Sequence, residues 1–548
     1  MERGGGDTSL GVMSDVAEAV ARLRAEWRLD FARVRPVLAA LAGGATVAEL
    51  VAASGLPRRD VEAVLAVLAP FSNPDGERVA VPGLAVPDHR SFPGDAELAE
   101  RMVELAAGRP PARWRLDHVP ATAGTMARRA LYLAGQYELE GAAVLCLGDH
   151  DLTSLAVGCA GAGADLTVVD IDEPVLDHLT ASAARLGLEL TAAWADLRLA
   201  LPPSLTGTAD LVFTDPPYTL DGMRLFLVRA LEALGATGHD RIAFCFGTGE
   251  RHLVKALELQ SLLAGLHLVI EAVLPGFNRY DGAEAIGARS DLYLCRPTTG
   301  ARLGEAARPV RSDRPRRNAA RIYTRGPAAR EASGRRLPDA VAAAALAAAG
   351  HGPAVLVGEG WGDAGVGLPG FVGRVAAWAT AARRGAFPFP GTPVVNTDPD
   401  FGAAAPRLVL LAAPERAVLV VPRRHVDDLR LPLLAVAYDI AAVPSGPGGD
   451  PAVVTVTRHD RPPAGETEAV LRHVVLHPGA KVGNAWRDAV LAVARQAGVA
   501  MTKNEARGRL AGAGLDPSVQ RLRLWELPIA QLRLIGAGIP EPDEWTRR

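Results

Sequence analysis

Lysine is almost missing from this chain of 548 residues: Lys255, Lys481 and Lys503 are the only three. Arginine supplies nearly all the positive charge, and beside so much Ala and Gly this reads as coding bias, not as a binding signature. The formal net charge is only −3, so no strong global field for nucleic acid or an anionic membrane exists. Cysteine is also scarce. Its four copies, Cys146, Cys159, Cys245 and Cys295, form no CxxC pair. Cys146, Cys245 and Cys295 sit in apolar, strand-like runs, which predicts buried free thiols in a reducing compartment. No uncharged apolar run reaches the roughly 18 residues that span a bilayer. The opening MERGGGDTSLGVMSD lacks an apolar signal core. These absences predict a cytoplasmic protein without a membrane partner.

Common catalytic signatures are missing too. There is no GxSxG elbow and no Walker loop. His473 and His477 are four apart, but in RHVVLHPG the valines and the Pro-Gly stop predict a strand or loop over a ligand-bearing helix. His425 with Asp427 and Asp428, and His459 with Asp460, are isolated pairs, so no metal is expected.

Hydrophobic residues make up 49 % of the chain, enough for large cores. Its length suggests three or four domains. Residues 14–90 predict a winged helix. Ala45–Leu68 carries apolar residues at helical spacing on both sides of Ser54-Gly55-Leu56-Pro57, and FSNPDGERVAVPGLAV follows as a small β-wing. Its second helix sets Arg58 and Arg59 beside Asp60 and Glu62, so packing or dimerisation is expected and DNA recognition is not. Residues 110–297 alternate strand and helix patterns, as in a parallel α/β sheet. Strands are predicted at 144–147, 166–170, 210–214, 241–247, 266–274 and 291–295. Residues 298–337 hold eleven arginines and three acids among Pro, Gly and Ser, which predicts an exposed linker. Residues 338–548 predict a further α/β or α+β domain. Strand-like runs there are 354–358, 407–413, 416–422 and 452–457, with helical patterns near 373–384, 486–497 and 503–512. No repeat stands out, and GEGWGDAGVG (358–367) reads as a turn.

The chemistry gathers in 110–297. In open α/β sheets, ligands bind outside the carboxyl ends of the strands. Those ends read Gly148-Asp149-His150-Asp151, then Asp170-Ile171-Asp172, then Asp215-Pro216-Pro217-Tyr218, with Asp196 after a short apolar run. Asp170 or Asp172 can hydrogen-bond ribose hydroxyls, and Asp196 an adenine amino group. Asp215 can hold an amine and accept its proton, Pro216 and Pro217 expose carbonyls, and Tyr218 can stack or line a chain. Asp149 and Asp151 stand where a phosphate- or carboxylate-binding turn would carry bare N–H groups. An anion there is repelled by about 1–4 kcal/mol per close pair, and a cation gains as much.

In order and spacing these blocks resemble the branched-chain polyamine synthase family, the N4-bis(aminopropyl)spermidine synthases. They are LDHVPATAGTMARRALYL, LGDHDLTSLA, VVDIDEPVLDHL, ADLRLALP, FTDPPYTLDGMRLFLVRAL and GFNRY, within residues 14–297. The resemblance implies a Rossmann-like, class I methyltransferase-like domain. It implies aminopropyl transfer from decarboxylated S-adenosylmethionine to a polyamine, with release of methylthioadenosine. It also implies a homodimer. Asp149 and Asp151 fall on the family's GDDD motif, and Asp215-Pro216-Pro217 on its DPP, followed by Thr219 and Gly222. Two positions depart: His150 replaces the middle acid, and Tyr218 the usual glutamate. DPPY is also the signature of amino methyltransferases. An S-adenosylmethionine-dependent N-methyltransferase is therefore one alternative, opposed by the missing GxGxG turn at Gly148. A winged-helix sensor of nucleotide or polyamine, without turnover, is the other.

Overall fold

The elements follow from local chemistry. Thr46 and Glu49 form a reciprocal capping box at the start of one helix, satisfying two orphan backbone N–H groups. Apolar runs of four to six residues bounded by Gly, Pro or Asp become buried strands. The computed structural model describes residues 15–86, 92–247, 253–282, 287–302, 322–323, 336–350, 352–361, 370–372, 375, 391–398, 401–444, 450–512 and 516–537.

Four helices, α1 (Val16–Trp27), α2 (Phe31–Ala42), α3 (Val47–Ser54) and α4 (Arg58–Leu68), pack around their own core. A small sheet completes this unit in the order β1 (Ala45–Thr46), β3 (Arg78–Ala80), β2 (Asn73–Asp75), as a winged helix requires. The helices α5 (Asp95–Ala107) and α6 (Ala123–Gln136) lead into a seven-stranded sheet. Its strands are β4 (Ala143–Leu147), β5 (Asp165–Asp170), β6 (Leu190–Trp194), β7 (Leu211–Thr214), β8 (Arg241–Phe246), β9 (Leu268–Arg279) and β10 (Arg289–Pro297). The order β6-β5-β4-β7-β8-β10-β9, with only β10 reversed against the other strands, is Rossmann-like and class I methyltransferase-like. Between the strands lie α7 (Thr153–Cys159), α8 (Glu173–Leu186), α9 (Leu220–Ala233) and α10 (Leu253–Gly265).

A second sheet follows: β11 (Ala354–Val357), β12 (Gly370–Val372), β13 (Thr392–Asn396), β14 (Arg416–Val421), β15 (Tyr438–Val443) and β16 (Ala452–Arg458). Its order is β12-β11-β13-β14-β16-β15. Three parallel pairings are followed by two antiparallel ones. That is the pattern of β5-β4-β7-β8-β10-β9; among the described residues nothing corresponds to β6. The two halves of the chain thus share one sheet topology. Both first strands end in a left-handed glycine, Gly148 and Gly358. β7 and β13 both run into Thr-Asp-Pro, at Thr214-Asp215-Pro216 and Thr397-Asp398-Pro399. Side chains of both sheets belong to one contiguous core, for example Leu145 and Leu419.

Three expectations change. Residues 407–413 are not a strand but most of the helix Ala405–Ala412, because a short apolar run has no period of its own and Pro406 starts the first turn. RHVVLHPG lies largely on the helix Glu466–Leu476, whose first turn carries Glu466 and Glu468; Pro478 and Gly479 come only after it. The segment 298–337 is not wholly exposed. Ile322 and Tyr323 are buried against Leu116 and Leu225, since two bulky apolar groups leave water even in an arginine-rich stretch. The helical pattern at 373–384 and most of 358–367 lie outside the described residues. Among the described residues, no helix is long and apolar enough to cross a membrane. No group of three or more His, Cys, Asp or Glu suited to a metal occurs among them either.

Candidate active site

A cavity of about 740 Å³ opens at the carboxyl edge of the first sheet. That volume lies within the roughly 300–1,000 Å³ usual for ligand pockets. Gly148, Asp149, Asp151, Asp170, Asp215, Pro216, Pro217 and Tyr218 all line it. Asp172 and Asp196 do not. Asp172 turns toward Arg113, 2.9 Å away, and burial pushes its carboxyl up to about 6. Both oxygens of Asp196 are held by the Arg198 guanidinium at 2.6–3.2 Å. The flanking Ala195 and Leu197 reach the cavity instead.

The first loop is built tightly. Leu152, fully buried, adopts a left-handed conformation (φ 56°) immediately before α7. The Asp149 carboxylate caps that helix, accepting hydrogen bonds from the backbone N–H of Thr153 (2.7 Å) and Ser154 (3.1 Å) and from the Ser154 hydroxyl. Burial pushes its carboxyl up to about 7, against those hydrogen bonds. The Asp149 N–H in turn donates to Asp170 at 3.0 Å, as does Asp172 N–H at 2.8 Å. One strand end thereby orders the next.

The centre of the site is a residue that sequence reasoning missed. Arg129 on α6 is completely buried. Its Nη1 reaches Asp151 at 3.0 Å and its Nη2 reaches Asp215 at 2.5 Å, while Nε donates to Asn278 at 2.8 Å. Asp215 also accepts hydrogen bonds from Tyr218 (2.8 Å) and Tyr280 (2.7 Å). Burial raises the Asp215 carboxyl, and Arg129 opposes that rise. The two phenols are pushed up by burial and by Asp215, so they stay neutral donors. One guanidinium between two carboxylates leaves a single net negative charge at this point. The mouth is therefore less acidic than a count of aspartates implies. A signal for Arg129 did exist. It shares the helix face of Met126, Ala130 and Leu133, all buried, where a charge needs a partner.

His150 also lines the cavity. Its Nε2 bonds the carbonyl of Pro110 at 3.1 Å, and its ring stacks on His118 at 4.4 Å. Burial pushes both imidazoles down to about 4, so both are neutral near pH 7. Tyr323 closes part of the wall, and the Thr219 hydroxyl anchors that segment by donating to Ile322 O at 2.7 Å. Beyond Tyr218 and Lys255 a second cavity of about 350 Å³ continues toward Glu258.

The family described as branched-chain polyamine synthase A C-terminal domain matches residues 97–292. An N(4)-bis(aminopropyl)spermidine synthase of Thermus thermophilus is 33 % identical over 236 residues, covering 41 % of this chain and 67 % of that protein. The enzyme of that name from Thermococcus kodakarensis is 32 % identical over 189 residues, 34 % of this chain and 53 % of its own. An uncharacterised protein of Methanocaldococcus jannaschii is 35 % identical over 190 residues, 35 % of this chain and 48 % of its own. The chain thus spans about half the length of several curated relatives it matches. A crystal structure of the Thermus thermophilus branched-chain polyamine synthase, in complex with N4-aminopropylspermidine and 5'-methylthioadenosine, aligns with a TM-score of 0.35 at 24 % identity. It covers 52 % of this chain and 92 % of that one.

Proposed function

From the premise that this chain belongs to the branched-chain polyamine synthase family, we propose that it transfers an aminopropyl group from decarboxylated S-adenosylmethionine to an amine of a polyamine. The observation that carries this reading is the cluster in which buried Arg129 backs Asp215, Tyr218 and Tyr280 on the wall of a cavity shared with Asp149, Asp151 and Asp170.

In this reading the nucleoside lies on the Asp170 side, where an acid ending the second strand can bind ribose hydroxyls. The donor is a cation without a carboxylate, so Asp149 and Asp151 favour it through charge. The acceptor amine sits at Asp215, which orients the nitrogen lone pair toward the carbon beside the sulfonium. The new C–N bond forms as the C–S bond breaks, and its electron pair returns to sulfur as neutral methylthioadenosine leaves. The proton shed by the amine passes to a carboxylate, and burial of Asp215 favours that acceptance. The second cavity gives the far arm of a long amine room past Tyr218.

Product analysis tests the proposal. Purified protein with decarboxylated S-adenosylmethionine and a polyamine panel is expected to release methylthioadenosine and a polyamine heavier by one aminopropyl unit. Release of S-adenosylhomocysteine from intact S-adenosylmethionine would make it a methyltransferase. Ligand binding with neither product would make it a sensor.

A further inference from the structure

The two cavity turns on the Asp170 side are each gripped by the second half of the chain. Arg407, on the helix Ala405–Ala412, is buried at 3 % exposure. Its Nη2 bonds the Glu173 carboxylate and the carbonyl of Leu527. Its guanidinium lies 3.9 Å over the Trp194 ring. Glu173 also accepts from the backbone N–H of Ile529 at 2.8 Å. Trp194 then donates to Ile171 O at 3.0 Å, and Ile171 lines the cavity beside Asp170. The β5–α8 turn is therefore fixed from behind.

The turn after β6 is held in the same way. Arg198, clamped to Asp196, lies with its guanidinium 4.5 Å over Phe401. Further along that loop, Ser204 N–H donates to the fully buried Glu526 at 3.1 Å. Ala195 and Leu197 of this turn line the cavity.

We propose that the second half of the chain is a built-in wall for the donor nucleoside, with Arg407 and Phe401 as positioning residues that reach the ligand through Glu173, Trp194 and Arg198. This rests on the aminopropyl-transfer reading, which puts the nucleoside on the Asp170 side. The acceptor side, at Asp215 and Tyr218, is fixed from within the first half by Arg129 and Tyr280. Loosening the wall should therefore act on the donor and spare the acceptor.

The test uses the full chain with Arg407→Gln, Arg407→Lys or Phe401→Leu, each first checked for wild-type circular dichroism and melting. Calorimetry measures methylthioadenosine binding, and steady-state kinetics measure both KM values. The expected result is a roughly tenfold weaker methylthioadenosine affinity and a similar rise in donor KM, with acceptor KM and kcat at saturating donor unchanged. Arg407→Lys should recover part of the loss. If Arg407→Gln does not fold, Phe401→Leu decides. An unchanged donor KM in a folded variant, or an equal rise in both KM values, would overturn the inference. If the unmodified protein binds no methylthioadenosine, the functional reading fails first and takes the wall with it.

Discussion

The first and second sheets share strand order and direction yet carry different chemistry at the same place. β7 of the first and β13 of the second each run into Thr-Asp-Pro. In the first, Asp215 meets a buried guanidinium and two phenols on a cavity wall. In the second, Asp398 follows Asn396, whose side chain bonds the carbonyl of Glu359 and receives the Asp398 N–H. The first sheet also has β6, which leads into Asp196–Arg198. Among the described residues the second ends at β12, with no counterpart to β6. A shared topology thus sets where a site can stand, and the side chains delivered from outside the strands decide whether it holds chemistry. Arg129 comes from α6, Tyr280 follows β9, and Tyr323 lies far along the chain.

The sharpest way to break this comparison is to blunt both aspartates. Asp215→Asn should lower kcat by about 10²–10⁴, read as methylthioadenosine release, while Asp398→Asn leaves turnover at the wild-type level. Equal losses would mean that the second sheet takes part in the reaction. Next in size is Arg129→Met. It strands Asp151 and Asp215 in the interior, and urea unfolding should show a loss of about 3–5 kcal/mol, together with activity.

The paired glycines come third. A methyl added at Gly148 (φ 71°) would lie 3.6 Å from Phe226, an ordinary contact, but at Gly358 (φ 92°) it would lie 2.7 Å from the carbonyl of Asn396. Gly148→Ala should cost about 1–2 kcal/mol for its left-handed backbone. Gly358→Ala should cost more, because backbone must shift as well. Chemical denaturation of the two variants would show the order.

The last effect is one of pH. Burial raises the Asp149 carboxyl to about 7 in the fold, above its usual value of 3.8. The folded state then holds a proton that the unfolded state has released. The stabilisation is full below about pH 4 and is lost as pH rises toward 7. Melting curves between pH 4 and 8 should show that slope in the wild type and a flatter one in Asp149→Asn. Over the same range, affinity for the cationic donor should rise as Asp149 ionises, while affinity for neutral methylthioadenosine stays level. Parallel changes for both ligands would remove Asp149 from charge recognition.

The strand ends of the first sheet were legible because each combines an apolar run with an acid, and burial leaves the acid only one edge to occupy. The same logic picked out Asp149, Asp151, Asp170 and Asp215 as cavity residues. It could not separate Asp196, whose apolar run looks like the others, because the pairing with Arg198 two residues on depends on the turn. Nor could it tell Arg128 from Arg129 without the helix phase, or place Asn278 and Tyr280 against a helix some 150 residues earlier. The repeated topology stayed hidden because pairing and direction demand only apolar alternation, which many unrelated residues satisfy.

Leu152 carries one last consequence. A branched side chain locked into a left-handed turn costs roughly 1–2 kcal/mol, and here the surrounding core and the helix it opens hold it there. That expense falls due during folding, long before any molecule enters. In the aminopropyl-transfer reading, an incoming cation would meet a loop already held in place, so little freedom is left to freeze at the moment of capture.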